Sequence, residues 1–239
     1  METSLKGKSA VDGQAQRRAV RSFVLRGGRL TEGQDRALHE LWPRYGIESA
    51  TGMLDFPGLF GNRNPVILDI GFGNGESTWQ MARANPDENF LGVEVHRPGV
   101  GHLLLNLETY HLKNVRVACA DAVAFLQVRV PDDSLAGVRL YFPDPWPKKR
   151  HHKRRIVQSD FVTLLGRRIR PGGILHMASD WAPYAEHMLR VMDACAVFEN
   201  CAPSGGFCPR PAWRALTKYE MRGQRLGHRV HDLIFRKKD

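Results

Sequence analysis

Five short apolar runs divide the middle of the chain: VILDI (66–70), NFLGVEV (89–95), VRVACAD (115–121), GVRLYF (137–142) and ILHMAS (174–179). What separates them constrains the fold more than anything else in the sequence. ESTWQMARAN (76–85) is helix-like, and in RPGVGHLLLNLETYHL (97–112) Val100, Leu103, Leu104 and Leu107 fall on one helical face. Further helices are expected over residues 122–128 and about 156–169, the latter followed by the turn RPGG. Strand and helix alternating at this pitch build βαβ units, and so a mostly parallel sheet with helices on both faces. A helix over Thr31–Trp42, ended by Pro43, precedes the alternation. After it, RALTKYEMRG (214–223) and HRVHDLIFRK (228–237) read as two strands of an antiparallel edge hairpin. Residues 1–20 are polar with little to bury and read as a disordered arm, leaving 21–239 as a single domain.

A parallel sheet of this kind takes its ligand at the carboxyl ends of the strands. Four of the runs end at or near an acid: Asp69, Glu94, Asp121 and Asp144. One such acid is ordinarily a helix N-cap, but four along one sheet edge suggest a site. The first run continues into Gly71-Phe-Gly73-Asn-Gly75, where glycine permits a tight turn and a close backbone approach. No Lys-Ser/Thr follows as in a P-loop, and Glu76 stands where a dinucleotide fingerprint has its third glycine. Glu94 lies 19 residues beyond Gly75, at the distance where an acid meets a ribose diol. Acids without a phosphate grip suit a cationic nucleoside, and S-adenosylmethionine fits.

The formal net charge of +10 is unevenly placed. Residues 148–155 carry six Lys/Arg and no acid, residues 209–239 carry nine against three acids, and the remainder is slightly acidic. Charge gathered in this way reads as a polyanion footprint, although many basic runs are simply solvated surface. Cys119, Cys195, Cys201 and Cys208 form no CxxC pair and match no zinc spacing, so no metal is expected, and His228 and His231 read as structural or exposed. With no secretory signal and no long apolar run, a soluble cytoplasmic protein without membrane contact is expected.

Several stretches together resemble the bacterial tRNA (guanine-N7)-methyltransferase family, a group of class I, Rossmann-like S-adenosylmethionine-dependent enzymes. They are RSFVLRGGRLTEGQ, LDIGFGNG, GVEVHRPGVG, YFPDPWPKKRHHKRR, ASDW and TKYEMRG, reaching over most of residues 21–235. The resemblance implies that Asp69, Gly71, Gly73, Gly75, Glu94, Asp121 and Asp144 contact the cofactor, with Asp144 also catalytic. It implies substrate contacts at Lys148, Asp180, Thr217, Lys218, Tyr219 and Glu220, and tRNA contacts along Arg150, His151, His152, Lys153, Arg154 and Arg155. The target it implies is a guanosine in the tRNA variable loop. No obligate protein partner is expected, and monomer and homodimer both stand. The family commonly has Glu where this chain has Asp69.

The chemistry explains a lone carboxylate at the lip of so much positive charge. Guanine N7 holds its lone pair in the ring plane and has no proton to lose, so methylation there needs positioning more than a base. As the ring gains positive charge, its N1–H and N2–H₂ become stronger donors, which a carboxylate can accept. Trp146 reads equally as a base-stacking platform or as a wedge between loop and core. Two rivals remain on sequence grounds. A methyltransferase of this fold acting on an exocyclic nitrogen fits the Asp-Pro-Trp-Pro motif poorly, and a non-catalytic RNA-binding protein predicts a degraded glycine turn.

Overall fold

The computed structural model describes residues 22–23, 28–48 and 51–239; the arm expected at 1–20 lies outside them. In chain order the elements are α1 (Glu32–Glu40), α2 (Trp42–Tyr45), α3 (Phe56–Phe60), β1 (Val66–Ile70), α4 (Glu76–Ala84), β2 (Asn89–Glu94), α5 (Arg97–Thr109), β3 (Val115–Cys119) and α6 (Ala122–Arg129). There follow β4 (Leu135–Tyr141), a 3₁₀ helix (Lys149–Arg154), α7 (Ser159–Arg168), β5 (Ile169–Ser179), α8 (Ala182–Asp193), β6 (Phe198–Asn200), α9 (Lys218–Arg225) and β7 (His231–Lys237). One seven-stranded sheet has the order β3-β2-β1-β4-β5-β7-β6. Its first five strands are parallel, and β7 runs antiparallel to both β5 and β6.

Alternate side chains of each strand enter opposite cores, as the two-residue period of a pleated strand requires. From β1, Leu68 and Ile70 pack with Phe125 and Leu126 of α6, Leu165 of α7 and Met188 of α8. Ile67 joins Ala37 of α1, Met81 of α4 and Leu103, Leu104 and Leu107 of α5 on the other face. Leu68 is fully buried, and cutting it to Ala would cost about 2–5 kcal/mol through lost burial and the cavity left behind. The chain reverses direction across the sheet between β1 and β4, which opens a crevice beyond their carboxyl ends.

The tail corrects one expectation. Residues 214–223 do not form a strand: Thr217 is the N-cap of α9, its hydroxyl accepting the Glu220 N–H at 3.3 Å. A threonine followed three residues later by glutamate is the sequence signature of a helix start, and here it overrides the alternation that reads as a strand. The antiparallel partner of β7 at the edge is instead the three-residue β6. The helix α8, for which the sequence reading has no counterpart, opens with Pro183 in its first turn and buries Ala185, Met188 and Met192.

Candidate active site

The crevice is a cleft of about 690 Å³, with Asp69, Gly71, Gly73, Asp144, Asp180, Thr217 and Tyr219 among the residues on its walls. A smaller recess of about 200 Å³ adjoins it, sharing Gly71, Tyr141, Phe142, Pro143 and Asp144. Apolar side chains of Ile70, Val93, Leu140 and Ile156 line this recess, with Glu94 at its rim. A mostly apolar hollow with a few convergent polar groups is what a nucleoside-sized ligand needs.

The glycine turn after β1 shapes the floor. Gly71, Gly73 and Gly75 have φ of 68°, 60° and 75°, a region that side chains bearing a Cβ enter only with strain. Gly99 of α5 approaches the same turn so closely that a Cβ there would sit 1.9 Å from the Gly73 carbonyl oxygen. Glu94 then locks the turn. Its Oε2 accepts the Gly73 N–H at 2.9 Å, and its Oε1 accepts the N–H groups of Val95 (2.7 Å) and His96 (3.0 Å).

The other three acids occupy distinct environments. Asp69 is buried, accepts the Thr78 hydroxyl at 2.7 Å, and lies opposite Arg139 in the β1–β4 register. Burial pushes its pKa up to about 6, with the Thr78 hydrogen bond and the Arg139 charge pulling the other way. Asp121 caps α6, its Oδ1 accepting the Ala124 N–H at 2.9 Å between recess-lining Ala120 and Ala122. Asp144 is exposed, lines both hollows, and has no hydrogen-bond partner among the described residues. It alone of the four acids keeps all of its acceptor capacity.

The loop that carries Asp144 is held from both ends. Phe142 and Trp146 have φ of 52° and 44°, a left-handed conformation that is rare for bulky residues and costly unless enforced by surroundings. The Phe142 N–H donates to the Ala178 carbonyl at 2.8 Å, while the Trp146 indole N–H donates to the Ser22 carbonyl at 3.1 Å. The Arg154 guanidinium lies 3.9 Å from the centroid of the Trp146 ring. Trp146 thus ties the loop to the N-terminal segment, with Arg154 against its ring.

The basic run divides. Lys148, Lys149, Arg150 and Lys153 are exposed, with His151, His152 and Arg154 half-buried beside them. Slight desolvation and the cations around it, Arg150 first among them, hold the His151 pKa below its ordinary value. Arg155 departs from the expectation of a tRNA contact. It is buried, its Nε donates to the Pro145 carbonyl at 2.9 Å, and its guanidinium covers the Tyr184 ring at 4.9 Å. Its charge supports the Asp144 loop from beneath.

The tail positions divide in the same way. Thr217 and Tyr219 line the cleft, and the Tyr219 hydroxyl donates to Asp180 at 3.2 Å. Lys218 is exposed, and its backbone N–H donates to Glu76 at 3.1 Å. Glu220, expected to touch substrate, points away from the cleft with both oxygens on Arg214. Arg214 also reaches Asp232, which accepts from His176 at 2.8 Å, and the far nitrogen of His176 lies 2.9 Å from the Tyr141 hydroxyl. Burial lowers the His176 pKa against the pull of Asp232; burial would raise that of Asp232, but the hydrogen bonds from His176 and Arg214 outweigh it and lower it. This buried chain ties the cleft floor at Tyr141 to α9. The sequence carries no sign of it, because its members are brought together only by the β4–β5–β7 register.

The chain as a whole matches a known family. The family described as "Putative methyltransferase" matches residues 63–233. A curated tRNA (guanine-N(7)-)-methyltransferase of Alcanivorax borkumensis is 58% identical over 92% of both chains. That of Halorhodospira halophila is 55% identical over 93% of this chain and 96% of its own. The chain belongs to the tRNA (guanine-N(7)-)-methyltransferase family. Members as distant as that of Streptomyces avermitilis keep 52% identity over 92% of this chain and 76% of theirs. Among solved structures, the 16S rRNA methyltransferase KamB shares the fold, with TM-score 0.58 and 15% identity over 82% of this chain and 99% of its own. The antibiotic-resistance methyltransferase Kmr does likewise, with TM-score 0.55 and 16% identity over 82% and 98%.

Proposed function

We propose that this chain transfers a methyl group from S-adenosylmethionine to N7 of a guanosine in the tRNA variable loop, with Asp144 as the catalytic carboxylate. The reaction class, methylation of guanine N7 in tRNA, follows from membership of a family whose members match nearly the full length of the chain. The observation that carries the site assignment is Asp144 itself: an acceptor without a partner among the described residues, at the junction of an apolar recess and an open cleft.

The residues present fit the cofactor. The recess gives an apolar slot for a purine. Glu94 is locked to the turn by three N–H groups and keeps one of its roughly four acceptor sites for a ribose hydroxyl, and Asp121 lies between recess-lining Ala120 and Ala122. The tight backbone at Gly71, Gly73 and Gly75 leaves room at the junction, and Asp69 offers its charge there to an ammonium group. When bound, S-adenosylmethionine supplies a methyl group on a sulfonium.

The protein's own work is then positioning and charge. Asp144 accepts the N1–H and N2–H₂ donors of guanine, which strengthen as the ring gains positive charge. Asp180, held by Tyr219, and Thr217 at the start of α9 line the same cleft and orient the base. Lys148, Arg150, His151, His152, Lys153 and Arg154 meet the phosphates on either side of it, contacts that set register and carry no sequence information.

The test is transfer of labelled methyl from S-adenosylmethionine to unmodified tRNA, followed by chemical cleavage selective for N7-methylguanosine. The expected result is one labelled guanosine in the variable loop. Label at another guanosine would move the substrate site, and bound cofactor with no transfer to any tRNA would overturn the proposal.

A further inference from the structure

The second concentration of positive charge lies on α9 and the turn after it. Lys218, Arg222 and Arg225 stand at i, i+4 and i+7, so they share one face of the helix. All three are exposed, as is Arg229 just beyond. The opposite face carries Glu220, which is sealed against Arg214. The helix is therefore anchored by its acid and turns its cations outward. None of the four cations has an ion-pair partner among the described residues.

Local helix physics explains only part of this arrangement: Arg222 and Arg225 fall in the last turn, where the macrodipole favours positive charge. Lys218 is the first residue of the helix, where the macrodipole disfavours positive charge. Lys218 and Arg222 are like charges four apart, and Arg222 and Arg225 are like charges three apart, both destabilising spacings. A folded helix that gathers like charges on one exposed face without an ion-pair partner among the described residues is complementary to an external polyanion. Its position narrows the choice. Thr217 and Tyr219 at the start of α9, and His228 after it, line the same cleft as Pro143, Asp144 and Pro145, from which the 148–155 run departs.

We propose that the Lys218–Arg222–Arg225–Arg229 face is a second phosphate-binding surface for the RNA substrate, beside the cleft and separate in sequence from the 148–155 run. This rests on tRNA being the substrate, and it adds a second foothold at the cleft. From Lys218 to Arg225 the helix rises about 10 Å, enough to meet successive phosphates of one strand. Two footholds at the cleft hold the strand over Asp144, whereas one leaves it free to pivot.

The experiment measures binding of unmodified tRNA across a salt series for the wild type and for Arg222→Gln/Arg225→Gln/Arg229→Gln. Every phosphate that is no longer neutralised lowers the log-log salt slope by about 0.7–0.9, so the triple variant should show a slope smaller by about 2. Its KM for tRNA should rise about tenfold or more. Affinity for S-adenosylmethionine, followed by calorimetry, should be unaltered and so report a folded protein. Arg222→Lys/Arg225→Lys/Arg229→Lys, which keeps the charge, should restore the slope. A triple variant with the wild-type slope, from a wild type that does methylate tRNA, overturns this surface alone. A wild type that methylates no tRNA overturns the functional reading beneath it.

Discussion

Arg214 grips Glu220 with both terminal nitrogens, Nη1 to Oε2 at 2.5 Å and Nη2 to Oε1 at 2.9 Å, and both side chains are sealed from water. Burial opposes the charge on Arg214, but its hydrogen bonds to Glu220 and Asp232 outweigh this and raise its pKa. Its Nε is less well served, lying 2.6 Å from Asp232 Oδ1 but out of line for a hydrogen bond. Removing Glu220 takes two charge-assisted hydrogen bonds from the buried Arg214 and leaves it with Asp232 alone, at a cost of about 3–5 kcal/mol. Glu220→Ala should therefore lower Tm by roughly 6–20 °C in a thermal melt followed by circular dichroism. The triple variant Arg214→Met/Glu220→Leu/Asp232→Asn, which removes all three buried charges, should be less destabilised than Glu220→Ala. Equal losses from both would mean that packing, rather than stranded charge, sets the cost.

Asp69 gives a pH signature. Its carboxyl titrates near 6 in the folded protein because burial favours the neutral form. Above that pH the side chain is ionised and can pair with a cationic ligand; below it the pairing charge is lost. Affinity for S-adenosylmethionine should fall as pH drops through about 6, and Asp69→Asn should flatten that dependence while weakening binding at pH 8. The stability sign runs the other way. The folded pKa exceeds the ordinary value of 3.8, so ionising Asp69 costs stability, fully at pH well above 6 and not at all below about 4. Asp69→Asn should consequently be the more stable protein at pH 8, and a chemical denaturation series across pH reads it directly.

Asp144→Asn keeps the shape of the loop and removes the charge. Because Asp144 has no hydrogen-bond partner among the described residues, stability should change by less than about 0.5 kcal/mol. Turnover should fall by about a hundredfold or more if the carboxylate stabilises a cationic ring. Single-turnover assays with saturating tRNA separate this from a binding defect. A loss confined to cofactor affinity would remove Asp144 from the chemistry.

Gly99→Ala tests the turn from behind. A methyl 1.9 Å from the Gly73 carbonyl oxygen cannot be accommodated, so the glycine turn or α5 must shift. The expected cost is about 1–3 kcal/mol of stability, together with a fall in S-adenosylmethionine affinity of tenfold or more. Wild-type affinity in a destabilised Gly99→Ala would show that α5, not the turn, gives way.

How far the sequence foretells the molecule depends on the range of the forces involved. β1 coincides with VILDI and β2 falls one residue short of NFLGVEV, because buried parallel strands are written as local apolar runs bounded by glycines and acids. The row of acids is equally legible as a position along the sheet edge: Asp69 is the penultimate residue of β1, Glu94 is the last of β2, and Asp121 and Asp144 follow the ends of β3 and β4. Residues 214–223 misled because Thr-Lys-Tyr-Glu alternates like a strand while its first member caps a helix by accepting the backbone N–H of its last. Arg155 and Glu220 are indistinguishable by type from their exposed neighbours, and only the folded chain separates those that bind inward from those that face solvent. His176, Asp232 and Tyr141 left no signal, since no spacing in one strand encodes a register across three.

The tether between Trp146 and the Ser22 carbonyl, 124 positions apart in the chain, makes the N-terminal segment part of the loop's anchorage. Arg154 strengthens the dependence, since the side chain that covers Trp146 also reaches the Phe23 carbonyl at 3.4 Å. A chain shortened past Phe23 would keep every residue assigned to chemistry and still behave as an active-site mutant. Its Asp144 would sample many orientations where the intact protein holds one, and the deficit would be entropic: slower turnover with unaltered acids, growing worse on warming.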